Sequence, residues 1–214
     1  MRAHDASMAR ILIVDDNADL ADNLAEILEL AGHRCTTVGS VEAFAREWPR
    51  GPWSAVVCDM MLTDGTGCDV VAATRGSDGP PPVVLWTAYA DDGRVEEALA
   101  AGALTRLRKP CDLERVVEFV ERLCDEAAPG AAVCVDDPAQ RIAVVDAVLD
   151  VTPWRPYVGA AGRRPLASPS GWTTAAVIAV AGAHVPGDVP GARRIELPAA
   201  ASRYLAEHLS TAVS

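Results

Sequence analysis

The feature that most restricts this chain is an alternation of short β-rich apolar runs with helical stripes through its first 126 residues. Successive βαβ units read this way, and they close into a parallel sheet with helices on its faces. Arg10 to Val14 is a buried strand, after which Leu20, Leu24, Ile27, Leu28 and Ala31 fall on one helical stripe stopped by Gly32. Cys35 to Val38 is the second strand, and Ser40 is a good N-cap for a helix from Val41 to Trp48, closed by the Pro49 to Pro52 turn. Ala55 to Cys58 is the third strand, followed by a Gly-containing loop and a short helix from Cys68 to Arg75. Val83 to Trp86 and Leu104 to Arg108 are the fourth and fifth strands, with a helix from Asp91 to Ala101 between them. Leu113, Val116, Val117, Val120 and Leu123 line one face of the helix that follows Pro110.

The segment around Pro129 and Gly130 is the natural linker. It divides the chain into a tail (1–9), a first α/β domain (10–126), a linker (127–131) and a smaller α/β domain (132–214). An internal repeat characterises the second part. Ala132-Val133-Cys134-Val135-Asp136-Asp137, then Ile142, Val145, Val148 and Leu149, copies the strand, Asp pair and helix of residues 11 to 31 at an offset of 121. Arg194 to Pro198 precedes a helix bearing Tyr204, Leu205 and Leu209, as Arg106 to Pro110 precedes its own, but Leu197 stands at the lysine position. The strand Ala175 to Val180 ends in Ala181-Gly182, without an acid. These features predict a truncated copy of the first domain, with an unrelated small α/β domain as the alternative. His208 reads as a solvated helix-surface residue.

Charge is distributed unevenly. Residues 1 to 126 hold 12 Lys+Arg against 23 Asp+Glu, whereas residues 127 to 214 hold seven of each. A chain of net charge -11 without a basic stripe repels phosphate backbones and anionic lipid, so nucleic acid and membrane are disfavoured as partners. The six cysteines form no CxxC pair and sit mostly in apolar runs, the start of the chain carries no secretory pattern, and a cytoplasmic protein with reduced thiols is expected. Of the 19 cationic side chains, Lys109 alone is lysine.

In an open parallel sheet the ligand crevice lies beyond the carboxyl ends of the strands. Strand one ends in Asp15-Asp16, strand three in Asp59, strand four in Thr87-Ala88 and strand five in Lys109-Pro110. Three converging carboxylates repel one another unless a hard divalent cation or the lysine compensates, so the pattern predicts Mg²⁺. Each motif alone has a plainer reading: Asp16 as a helix cap, Thr87 as a strand-end hydroxyl, Lys109 as a solvated charge. Four of them in order at the strand ends are specific.

Over roughly Arg10 to Asp125 the chain resembles the response-regulator receiver domain of two-component signalling. The resemblance lies in Ile11-Leu12-Ile13-Val14-Asp15-Asp16, Asp59-Met60-Met61-Leu62-Thr63-Asp64-Gly65-Thr66-Gly67, Trp86-Thr87-Ala88 and Lys109-Pro110. It implies a flavodoxin-like, doubly wound five-stranded parallel sheet followed by the smaller α/β domain. It implies Asp59 as phosphoacceptor, Asp15, Asp16, Asp59 and the main-chain carbonyl of Met61 as Mg²⁺ ligands, and Thr87 and Lys109 on the phosphoryl oxygens. The implied partners are a sensor histidine kinase or phosphotransfer protein and an output protein, with a homodimer left open. A compact ammonium on a flexible stem suits this task better than a guanidinium. A haloacid-dehalogenase-like hydrolase would need a second acid two residues after Asp59, where Met61 stands.

Two departures matter. The family carries an aromatic ring three residues before the lysine, and here Arg106 stands there, so Arg106 is expected to report the switch by pairing with an acid of the second domain or of a partner. Met61 and Tyr89 flank the path of an attacking water and imply slow self-dephosphorylation. The resulting reading is a phosphorylated switch that signals through protein contacts and turns over no substrate. The alternatives are the same receiver with a DNA-binding or other effector module, or a scaffold that never accepts phosphate.

Overall fold

The computed structural model describes residues 8–77, 79–89, 92–110, 113–125, 128–158, 169, 174–180, 183, 191–197 and 209–211. The chain begins with β1 (Arg10–Val14), α1 (Ala18–Leu30), β2 (Arg34–Val38), α2 (Val41–Glu47) and a 3₁₀ turn over Trp48–Arg50. It continues through β3 (Ala55–Cys58), a hairpin of β4 (Met61–Leu62) and β5 (Gly65–Thr66), and α3 (Gly67–Thr74). Next come β6 (Val83–Thr87), α4 (Gly93–Ala101), β7 (Thr105–Arg108) and α5 (Leu113–Cys124). The five long strands form one parallel sheet in the order β2-β1-β3-β6-β7.

Both faces of the inner strands are dry, which is why β1, β3 and β6 read as apolar runs, while the edge strands β2 and β7 carry polar residues. Ile11 and Ile13 of β1 face a core with Leu24 and Leu28 of α1 and Val116, Val117 and Val120 of α5. Their neighbours Leu12 and Val14 face a second core with Phe44, Val70, Val71, Val95 and Leu99. The period of two along a strand thus feeds one helical layer on each side.

The second half contributes β8 (Gly130–Cys134), α6 (Pro138–Val151), β9 (Arg155–Val158), β10 (Thr174–Val180) and β11 (Arg193–Leu197). They build a second parallel sheet in the order β11-β10-β8-β9. Its first strand lies between its second and third, the winding that places β1 between β2 and β3. β8 begins at Gly130, inside the segment expected as a linker over 127–131. Gly130 and Ala131 show no side-chain pattern, yet they pair with Arg155 and Pro156 on one side and with Thr174 and Ala176 on the other. β9 escaped the sequence reading because it contains Pro156. It is an edge strand, where a missing N–H disrupts no inner ladder. His208, Tyr204, Leu205, Pro198 and Ala181-Gly182 lie outside the described residues. No described helix is long and apolar enough to cross a membrane.

The sheets share one apolar core, which runs from Ile11 and Ile13 through α5 to Val133, Val145 and Ile178. α6 packs against α4 and β7, and α5 packs against β9. Two arginines reinforce this contact in opposite directions. Arg141 of α6, only 6% exposed, donates to the Leu99 carbonyl at the end of α4, to the Ala103 carbonyl at 3.4 Å and to the Val135 carbonyl at 3.0 Å. Arg122 of α5 donates to the Leu149 and Thr152 carbonyls at the end of α6. The carbonyls at a helix C-terminus carry its negative dipole end, which favours a guanidinium there; at Leu99 it adds to the bond the carbonyl accepts from the Gly102 N–H at 3.1 Å.

Candidate functional site

Parallel pairing brings the ends of β1, β3, β6 and β7 to one edge of the first sheet. The Asp15 N–H donates to the Val38 carbonyl at 3.0 Å, the Asp59 N–H to the Val14 carbonyl at 2.8 Å and the Lys109 N–H to the Thr87 carbonyl at 2.9 Å. Backbone hydrogen bonds therefore hold these three residues at the sheet edge. The Lys109–Pro110 peptide is cis.

The side chains meet. Lys109 Nζ lies 2.5 Å from Asp15 Oδ2 and 3.2 Å from Asp59 Oδ2, and 4.8 Å from the centre of the Trp86 ring. Asp15, Asp16 and Asp59 each offer a carboxylate oxygen, all within 4.8 Å of one another. Asp15 is 2% exposed, and burial pushes its carboxyl above the ordinary range against the pull of Lys109 and of the Asn17 N–H on Oδ1. Desolvation likewise pushes the buried Cys58 thiol, whose Sγ–H donates to the Asp59 carbonyl, well above its usual value. One ammonium faces three carboxylates, so the cluster lacks positive charge. Its hard oxygen donors fit a small divalent cation such as Mg²⁺.

Asp16 is exposed and does not cap α1; Asn17 does, accepting from the Leu20 N–H. Its carboxylate is thereby left to the cluster. Thr87 closes β6 and is wholly buried, its hydroxyl accepting from the Tyr89 N–H at 3.1 Å. Tyr89 is 54% exposed, and Met61 begins the β4–β5 hairpin two residues past Asp59. Arg106 is half-buried in β7 opposite Leu85, on the strand against which α6 packs.

The loop after Asp59 has a build that the sequence did not disclose. Asp64 accepts from the N–H groups of Val41 and Glu42, adding a second cap to α2 beside Ser40, and these bonds hold its carboxyl below the usual range. Close approach explains two glycines. A Cβ at Gly65 would meet Val41 Cγ2 at 2.8 Å, and one at Gly67 would meet the Asp59 carbonyl oxygen at 3.0 Å. Trp86 also went unnoticed as a site residue, because its contact with Lys109 depends on the pairing of β6 with β7.

Comparison with known proteins agrees with this geometry. The response regulator receiver domain family matches residues 11–121. The chain is 27% identical over 135 residues to the transcriptional regulatory protein FixJ of Bradyrhizobium diazoefficiens, covering 62% of this chain and 66% of FixJ. It is 34% identical over 108 residues to the acid tolerance regulatory protein ActR of Rhizobium meliloti, covering 50% of this chain and 55% of ActR. The match thus spans less than two thirds of the length of these relatives. Among solved structures, the BeF3-activated DrrB receiver domain is 28% identical with a TM-score of 0.50, covering 55% of this chain and 97% of that one. A CheY-like receiver domain protein from Methanospirillum hungatei is 26% identical with a TM-score of 0.52, covering 56% and 96%. The Asp cluster with its bridging lysine, the five-stranded order and the family match over residues 11–121 lead to one conclusion: this chain belongs to the response regulator receiver family of two-component signalling.

Proposed function

We propose that the protein is a phosphorylation-dependent switch in which Asp59 accepts a phosphoryl group from a sensor histidine kinase or phosphotransfer protein. The observation that carries this reading is the single lysine bridging Asp15 and Asp59 at 2.5 and 3.2 Å. An Asp59 oxygen attacks phosphorus, the P–N bond of the donor phosphohistidine breaks, and the imidazole leaves neutral, keeping the proton already on its other ring nitrogen. Lys109 neutralises charge on the phosphoryl oxygens, and the Thr87 hydroxyl trades its Tyr89 N–H for a bond that it donates to the new group. Asp15, Asp16, Asp59 and the Met61 carbonyl would hold Mg²⁺, which supplies the remaining positive charge for phosphoryl transfer. The chain performs this chemistry on its own aspartate and turns over no substrate.

The second half acts as the resident receiver of the signal. Its winding and its Asp136-Asp137 pair support a truncated pseudo-receiver, and the packing of α6 on α4 and β7 supports a route from the Thr87 and Lys109 strand ends into it. Arg106 on β7 is the side chain we assign to report the change across that face.

Acetyl phosphate tests the reading. Mg²⁺-dependent labelling of the chain, lost in Asp59→Asn, is the expected outcome; an unlabelled wild-type chain would instead identify a scaffold that never accepts phosphate. The name of FixJ as a transcriptional regulatory protein favours one further reading, an output on DNA, which salt-dependent binding to duplex DNA would reveal.

A further inference from the structure

We propose that Trp86 is a positioning residue for the phosphoryl site: the face of its indole holds the Lys109 ammonium beside Asp59 whether or not Asp15 is engaged elsewhere. This rests on the role given to Lys109 above.

Trp86 sits in β6 immediately before Thr87 and pairs in register with Leu107 of β7, two residues before Lys109. It is 2% exposed and belongs to the core that contains Ile11, Ile13 and Val57. Its ring is thus fixed by packing on the strand that carries Thr87. Lys109 Nζ lies 4.8 Å from the ring centre, within the range of a cation–π contact.

An ammonium has three N–H donors and no acceptor. Two directions are taken by the carboxylates of Asp15 and Asp59, and the ring face covers another. These partners differ in permanence. A cation bound to the cluster draws on Asp15 and Asp59, which are the closest partners of Lys109. The indole carries no net charge and binds no hard metal ion, so its hold survives occupation of the site. The lysine stem is flexible, and a fixed ring on one side limits where the ammonium can go when its carboxylates are shared. A tryptophan that only filled the core would leave Lys109 indifferent to the electronics of its ring.

Because Lys109 is the only lysine, lysine-selective ¹³Cε labelling of the full chain without a tag gives one side-chain signal. In the metal-free wild type its Hε protons are expected upfield from ring current, and Trp86→Leu is expected to remove that shift. Titration with beryllofluoride at saturating Mg²⁺, followed through the same signal, is expected to weaken about five- to tenfold in Trp86→Leu and far less in Trp86→Phe. A fluorinated tryptophan placed at position 86 alone keeps the shape of the ring and weakens its negative face. It should therefore give an intermediate loss of affinity with an unchanged melting temperature, which covers the case in which the leucine variant does not fold.

An unshifted Lys109 signal in the wild type would overturn the contact. Equal beryllofluoride affinity in the wild-type, phenylalanine and fluorotryptophan proteins would overturn the positioning role while leaving the phosphoryl reading intact. A wild type that shows the shift but binds no beryllofluoride would overturn the phosphoryl reading and the positioning role with it.

Discussion

Arg141, buried in α6, donates its guanidinium to the Leu99 carbonyl at the end of α4, so a side chain of the second sheet's own helix completes the hydrogen bonding of a receiver helix. Replacing it by Met leaves the Leu99 and Val135 carbonyls buried without this donor, and hydrogen bonds from a charged group contribute about 1.5–3 kcal/mol each. We expect Arg141→Met to lower the unfolding free energy by about 2–4 kcal/mol in urea titrations. If the α4 contact carries the signal, linkage also requires the same variant to change beryllofluoride affinity at Asp59. A stability loss with unaltered affinity would mean that Arg141 holds the two sheets together without carrying the signal.

Lys109 competes with any cation for Asp15 and Asp59, its two partners at 2.5 and 3.2 Å. Lys109→Met removes one positive charge from the cluster and frees both carboxylates. Mg²⁺ binding should tighten by about tenfold or more, since unit charges about 4 Å apart interact by about 1 kcal/mol in bulk water and about 4 kcal/mol near a protein surface, and about 1.4 kcal/mol is tenfold. Labelling by acetyl phosphate should fall at the same time. Calorimetric titration with Mg²⁺ measures the first effect and mass spectrometry the second; weaker Mg²⁺ binding in the variant would contradict the competition.

The first sheet and its site were legible for a single reason. The inner strands, buried on both faces, are apolar runs, and in a parallel sheet the residues after the strands share one edge, so Asp15, Asp59 and Thr87, with Lys109 after the edge strand, could be brought together from the sequence. Features that depend on backbone approach were hidden. The Met61–Thr66 hairpin has strands of two residues, too short for a period, and Asp64 reads as a loop acid although it caps α2. The two Asp-Asp pairs show how one neighbour decides a role. Asn17 takes the cap of α1 and leaves Asp16 to the cluster, whereas Pro138, suited to the first helical turn, leaves Asp137 to cap α6 through the Gln140 N–H. Arg141 reads as an ordinary helix cation, because only the docking of α6 on α4 buries it.

His33 should make the fold acid-sensitive. It is buried before β2 with neither ring nitrogen hydrogen-bonded, and desolvation holds its pKa below the ordinary 6.5 although Glu121 pulls it upward. Well above pH 6.5 the imidazole is neutral whether the chain is folded or not, and it adds no pH dependence. As pH falls below that value the unfolded chain takes up a proton that the folded one resists, and stability declines. His33→Leu should therefore raise stability at neutral pH and flatten its loss toward about pH 5. Urea midpoints across that range provide the measurement, and equal slopes in the two proteins would remove His33 as a cause.

Thr105 offers a test of the β7 edge that involves none of the site residues. Its hydroxyl is fully buried with no hydrogen-bond partner, in the strand that leads to Arg106 and Lys109. An unsatisfied buried hydroxyl forfeits its water contacts for nothing, whereas a methyl of similar shape has none to lose. Thr105→Val also keeps the branching that suits a strand. We expect it to raise the unfolding free energy by about 1 kcal/mol while leaving acetyl phosphate labelling of Asp59 unchanged. A destabilised variant would show that the Thr105 hydroxyl has a partner in solution, such as an ordered water, and that β7 is built around it.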